Sequence, residues 1–334
     1  MRVLVAPDKF KSTATAVEMT DALVAALVGA GHEATGVPLA DGGEGFLDAL
    51  GGPNGVATVG GPLGEPVEAA WRLHRRSAVI EMARASGLAL VGGPEGNDPV
   101  AASTAGTGEL IALAVESGAT RVLVGVGGSA TTDGGLGALE ALHPPQRLRG
   151  VELVVACDVT TSFVDAAAVF GPQKGASPAQ VELLTRRLAR LAQVYERESD
   201  VDVTTLVGGG AAGGLAGGLA TVGAELVSGF ELVAEEVRLD ELMEGVDLVV
   251  TGEGFLDQES FTGKVVGGVT DLAAEVGVPV LAVVGEVLDP VPDLPAHLTV
   301  VSLTELVGSE ASLADPCGAA ARAVLEHCDP RPRR

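Results

Sequence analysis

Short runs of aliphatic, β-branched residues recur along this chain, most of them closed by Gly, Asp or Glu and followed by helical periodicity. They are "RVLVAPD" (2–8), "RVLVGVGG" (121–128), "ELVVACD" (152–158), "DLVVTGEG" (247–254) and "VPVLAVVGE" (278–286), with "LTVVSL" (298–303) as a sixth. Uninterrupted apolar strands alternating with helices, such as those read at 16–31 and 107–118, describe a parallel sheet covered on both faces. Two segments break the rhythm. Residues 55–82 alternate like antiparallel strands around a Gly-Pro turn, and residues from about 160 to 240 carry a charged helix, "PAQVELLTRRLARLAQVYER", and a glycine-rich run. The expected fold is α/β: a doubly wound parallel sheet interrupted by a second, smaller mixed α/β domain, so that both domains are discontinuous. Residues 1–42, 98–160 and 240–334 are assigned to the first domain and 43–97 and 161–239 to the second, with the active-site cleft expected between them.

Composition narrows the function. At 334 residues and 47% hydrophobic content the chain can bury substantial cores, and 47 glycines against one Trp and one Tyr favour tight strand-to-helix turns over stacked aromatics. A net charge of −24 argues against nucleic-acid partners, which require a basic face. It also means that an anionic substrate needs local cations or backbone N–H groups. Three cysteines, Cys157, Cys317 and Cys328, lie at no metal-ligand spacing, and "MRVLVAPD" enters a strand without a leader-like apolar region. A cytoplasmic location and no membrane partner are the expectation. The run around "LVGGGAAGGLAGGL" is too short and glycine-rich for a span.

Ligands in open parallel sheets bind beyond the carboxyl ends of the strands. Those ends carry Asp8, Lys9 and Lys11, the loop "GVGGSATTDGG" with Gly127, Gly128, Ser129 and Asp133, then Asp158, Glu253 and Asp257. Asp41 and Glu44 of "ADGGEG" join them, and Lys264 follows. Any one such acid is ordinarily a cap or turn former; so many strand endings together make a plausible site for magnesium, phosphate and a small polar substrate. The glycine loop has two readings, a nest of N–H groups for phosphate or a turn that permits close packing. "GVGGSA" also matches the dinucleotide fingerprint formally, yet "TTDGGLG" puts more glycine where a helix should begin. "FGPQKGA" (170–176) reads as a surface turn carrying Lys174, and "GGGAAGGLAGGL" (208–219) as a close-packed helix or loop.

Taken in order, "VLVAPDKFK", "VPLADGGEGF", "GPLGEPV", "IEMARASGL", "GTGELI", "GVGGSATTDGG", "ACDVT", "VFGPQKGA", "GAAGGLAGGL", "LVVTGEGFLDQ" and "GKVVGGV" resemble the bacterial glycerate kinases of the APDSFK type, which lack a P-loop. The resemblance spans Arg2 to about Gly285. It implies a flavodoxin-like domain with a second mixed α/β domain, and transfer of the γ-phosphoryl group of Mg-ATP to a hydroxyl of D-glycerate, giving 2-phosphoglycerate. It further implies that Asp133, Asp158, Lys11 and Lys264 serve catalysis, that Gly127, Gly128, Ser129 and Glu253 bind the nucleotide, that Asp8 and Glu44 bind substrate, and that Asp41 and Asp257 hold Mg2+. The chain departs from the family pattern at Lys9 (commonly Ser), Ser12 (Gly), Phe255 (Arg), Thr161-Ser162 (Asn-Pro) and Val266 (Pro). Between Leu142 and Val151 the family carries tens of further residues. These departures motivate one alternative, a non-catalytic binding or regulatory relative; a dinucleotide-binding oxidoreductase rests on "GVGGSA" alone.

Overall fold

The computed structural model describes residues 1–10, 13–288, 291 and 294–328, and the chain divides into two compact units. The first comprises Met1–Asp41, Asp48–Leu50 and Phe230–Arg334; the second comprises Gly42–Leu47 and Gly51–Gly229. In chain order the strands are β1 (Arg2–Val5), β2 (Glu33–Gly36), β3 (Gly55–Gly60), β4 (Pro66–His74), β5 (Ser77–Glu81) and β6 (Arg121–Gly125), then β7 (Glu152–Cys157), β8 (Glu225–Ser228), β9 (Leu248–Leu256), β10 (Val280–Val287) and β11 (Leu298–Ser302).

The sheet of the first unit has five strands, all parallel, in the order β11-β10-β9-β1-β2. Numbered among themselves these strands run 2-1-3-4-5, the flavodoxin order, and strand order reverses between β1 and β9. The expected doubly wound sheet is therefore present. Its core joins Val3, Val5, Val250, Leu281 and Val283 to Met19, Leu23 and Leu27 of helix Ala16–Gly29 and to Ala320 and Val324 of helix Pro316–Cys328. Met19, Leu23 and Leu27 repeat every fourth residue and so share one helix face. Thr15 starts that helix: its side chain accepts from the Glu18 N–H while the Glu18 carboxylate accepts from the Thr15 N–H, a reciprocal cap worth about 1 kcal/mol.

The second unit has a six-stranded sheet, β3-β4-β5-β6-β7-β8. β3, β4 and β5 pair antiparallel, as the alternation at 55–82 predicts, and β5 through β8 pair parallel. The domain boundaries differ from those expected. Residues 98–160 belong here, supplying β6 and β7 at the heart of the mixed sheet, and this unit is the larger of the two. The reason is physical: a strand buried on both faces has the same apolar sequence whichever parallel sheet it joins. Helix Pro178–Ser199 starts at Ser177 with Pro178 in its first turn and buries Leu184, Leu188, Ala192 and Tyr195 against Phe163 and Ala167.

The glycine-rich run forms helix Ala211–Ala220, wholly buried as far as Leu219, with left-handed backbone at Ala212, Gly213 and Gly214. It is close-packed, as its composition suggests: a Cβ at Gly213 would strike the Thr131 carbonyl. Among the described residues no helix is long and apolar enough to cross a membrane, and Cys157, Cys317 and Cys328 form no disulfide.

Candidate active site

Two clusters of polar side chains form at strand ends, one in each unit. In the first unit β1 stops at Val5, and the chain turns so that the Asp8 N–H donates to the Gly252 carbonyl of β9 at 2.9 Å. Asp8 thus sits at the point where strand order reverses, beside Glu253. It is 6% exposed, and Asp41, reached after β2, is 8% exposed. Lys9 bridges them: its Nζ lies 3.5 Å from Asp8 Oδ1 and 3.5 Å from Asp41 Oδ1. Burial pushes the Asp8 carboxyl up to about 7 against the pull of Lys9, and Asp41 adds to the rise. Burial works against the Lys9 ammonium, but Asp8 and Asp41 outweigh it and hold its pKa above the ordinary lysine value.

Glu253 completes this group. Burial lifts its carboxyl to about 7; the Ser260 hydroxyl bonded to it and Lys264 pull the other way, while Asp8 and Asp257 raise it further. Its Oε1 is buried with no hydrogen-bond partner. Glu253 lies within β9, three residues before its end at Leu256, and an unsatisfied buried carboxylate oxygen costs about 1–3 kcal/mol. Asp257 shapes the local backbone. Its Oδ1 accepts from the Glu259 and Ser260 N–H groups at 2.8 and 3.2 Å and so starts the short helix Gln258–Phe261. Among the described residues the hydrogen bonds it accepts all fall on Oδ1. Lys264, at the start of helix Val265–Val276, lies 3.3 Å from the Glu259 carboxylate. Lys11 lies outside the described residues.

In the second unit the loop after β6 runs from 126 to 135 before the seven-residue helix Leu136–Leu142. A dinucleotide fold would enter a long helix directly, so the match of "GVGGSA" to that fingerprint has no structural counterpart. Gly127 donates to the Gly42 carbonyl and Ala130 to that of Ser86, whereas the N–H groups of Gly128 and Ser129 make no hydrogen bond among the described residues. Gly128 adopts φ +72°, a backbone glycine tolerates freely. The Ser129 hydroxyl accepts from Lys174 Nζ at 2.8 Å, which leaves its own O–H to donate.

Lys174 corrects the reading of "FGPQKGA" as a surface turn. It is 3% exposed, with Nζ donating to Ser129 Oγ and, at 2.7 Å, to the Thr131 carbonyl. Burial lowers its pKa to about 7, with Asp133 opposing. A turn sequence gives no sign that a lysine will fold inward; only the loop it supports explains it. Lys9 is the other residue the sequence underrated, named there among the strand-end residues and as a departure from Ser but given no role.

Asp133 accepts four hydrogen bonds: from the Thr104 N–H and hydroxyl at 2.8 Å each, from Gly137 N–H at 3.2 Å and from Gly135 N–H at 3.0 Å. Three of these fall on Oδ2 and one on Oδ1, so Asp133 itself fills the nest at the end of its loop. Asp158, just past β7, and Glu44 are both exposed. Among the described residues no group of three or more His, Cys, Asp or Glu side chains is disposed to hold a metal ion.

A sequence profile described as the glycerate kinase family matches residues 3–144 and 143–329, the break falling in the short connection after Leu142. The glycerate 2-kinase of Escherichia coli K12 is 39% identical over 331 residues, covering 87% of this chain and 87% of its own. The glycerate kinase of Bacillus subtilis 168 is 38% identical over 327 residues, covering 86% and 85%. A crystal structure from Salmonella typhimurium LT2 bearing the name glycerate kinase 2 superposes with a TM-score of 0.80 at 34% identity, covering 98% of each chain.

Proposed function

The chain belongs to the glycerate kinase family, phosphotransferases with an alcohol acceptor, and from that membership we propose that it transfers the γ-phosphoryl group of Mg-ATP to D-glycerate, giving 2-phosphoglycerate. The observation that carries this reading is the buried Asp8–Lys9–Asp41 group, with the orphaned Glu253 Oε1 beside it, at the strand-order reversal of a flavodoxin-type sheet. Phosphoryl transfer asks for positioning and charge neutralisation more than for covalent chemistry, and the residue types here supply both.

Glu253 Oε1 takes the proton of the attacking hydroxyl; a carboxylate with a pKa near 7 matches the pH at which a general base works best. Lys9, held in place by two carboxylates, neutralises charge on the moving phosphoryl group. In the second unit Ser129 O–H and the N–H groups of Gly128 and Ser129 hold phosphate oxygens, with Lys174 fixing the Ser129 side chain from behind. Asp133 organises the loop. Magnesium would be held by Asp41 and Asp257, one or two carboxylates being what such an ion needs from the protein, and would supply charge neutralisation for the phosphates. Lys264 and Lys11 remain candidates for the substrate carboxylate, Asp8 and Glu44 for the substrate hydroxyls, and Asp158 for orienting the acceptor. A cytoplasmic enzyme with a small hydroxy-acid substrate follows from the same reading.

Phosphorus NMR of the protein with Mg-ATP and D-glycerate tests the proposal. The expected outcome is a new monoester resonance matching 2-phosphoglycerate. A resonance matching 3-phosphoglycerate would move the transfer to the other hydroxyl, and intact ATP after prolonged incubation would sink the reading.

A further inference from the structure

Within the second unit, against helix Pro178–Ser199, lies a cavity of about 600 Å³, in the range that small organic ligands occupy. Leu183, Arg187, Arg190, Leu191 and Val194 line it and fall at i, i+4, i+7, i+8 and i+11, one face of the helix. The face adjoins the one that buries Leu184 and Tyr195, and Leu188 belongs to both. Arg186 of the same helix and Leu136, 42% exposed, also line the cavity. Three arginines on one cavity are conspicuous in a chain of net charge −24. None is committed to a buried pair: Arg186 lies 3.7 Å from Glu182 on the surface, Arg190 donates to Gln193 and Arg187 to the Val100 carbonyl. The wall also carries two carboxylates, Asp133 and Glu140, so three arginines against two acids leave the lining with one positive charge in excess.

Apolar side chains beside guanidinium groups outside any buried ion pair are the ingredients of a site that orients a ligand with an apolar body and an anionic head. We propose that this cavity binds a small amphipathic anion, with its ring or branched body among Leu183, Leu191 and Val194 and its carboxylate or phosphate facing Arg186 and Arg190. The site sits directly behind the glycine loop: Thr132 and Asp133 continue from Ser129, and Tyr195 of the same helix donates to the Gly134 carbonyl at 2.9 Å. Occupancy therefore bears on the loop's geometry. The inference rests on these residues and not on the reaction proposed above.

The test uses anilinonaphthalene sulfonate, a fluorescent aromatic anion, titrated into the full-length protein. The expected result is saturable one-to-one binding, weakened at least tenfold in the Arg186→Glu/Arg190→Glu double variant, whose ion pair and hydrogen bond are to Glu182 and Gln193 of the same helix. Arg190→Ala supplies a second variant, expected to weaken binding severalfold, with circular dichroism melts to establish that both fold. Non-saturable binding, or equal affinity in the double variant, would overturn the proposal. Competition separates two sources of the same ligand chemistry. Displacement by ATP identifies the cavity as the nucleoside's seat, and displacement by benzoate but not ATP identifies a separate acid-binding site; both outcomes support the inference. A probe bound saturably but displaced by neither would overturn it.

Discussion

Glu253 and Lys174 are buried ionisable groups whose titrations act on stability in opposite senses. The Glu253 carboxyl, raised from 4.5 to about 7, holds its proton more tightly in the folded state. Its contribution is full below pH 4.5 and is lost as pH rises to 7, and Asp8 adds a change of the same sign. Lys174, lowered from 10.5 to about 7, releases its proton first when folded, so stability linked to it increases as pH rises from 7 to 10.5. Glu253→Gln should flatten the decline between pH 5 and 7 by on the order of 1–3 kcal/mol in urea denaturation, and should lower turnover by roughly 10²–10⁴-fold. An unchanged slope with lost turnover would leave Glu253 a base but mean that burial does not set its pKa. Lys174→Met should abolish the rise above pH 7 and reduce turnover at least about tenfold by releasing the Ser129 side chain; near-normal turnover would remove Lys174 from the support of the loop. Neither residue's inward position was legible in the sequence. Glu253 announced itself as a strand-end acid, whereas Lys174 sat in a Gly-Pro turn context that ordinarily faces water.

At the level of elements, the strands, the β3–β4 hairpin and the charged helix were readable because each carries its own period: continuous apolar runs, alternation, or Leu184-Leu188-Ala192-Tyr195 spacing. What could not be read was which sheet β6 and β7 join, since their pairing partners are set by tertiary packing. The glycine-rich helix Ala211–Ala220 shows what such packing demands. Its first turn bends through left-handed backbone so that Gly213 can lie on the Thr131 carbonyl and Gly214 on Gly134. Gly213→Ala adds a Cβ where there is neither conformational freedom nor space. The expected loss is about 2–4 kcal/mol in urea denaturation, combining left-handed strain with overpacking. Because the clash falls on the loop that carries Ser129, nucleotide affinity should fall with it; a variant of wild-type stability would mean that this backbone yields more readily than its close packing implies.

For the whole molecule, the charge of −24 opposes every anionic substrate before it reaches the local cations. Screening should relieve that opposition, the Debye length shrinking from about 30 Å at 0.01 M salt to about 8 Å at 0.15 M. We expect kcat/KM for D-glycerate to rise severalfold across this range, measured by a coupled assay at fixed pH. A fall instead would mean that the field near Lys9 governs capture. The acidity was plain in the composition, but where the compensating cations gather was not.

The strand order of the first unit also sets a timetable for synthesis. Val3 in β1 pairs with Leu248 in β9, so the first strand made waits for a partner near the far end of the chain. At about 5–20 residues per second the two leave the ribosome roughly 10–50 s apart. The second unit, whose strands β3 to β8 all lie between Gly55 and Ser228, can close during that interval. Meanwhile the nascent Val3-Leu4-Val5 segment has β2 on one edge and its other edge open, which makes it the stretch on which a chaperone has the longest hold.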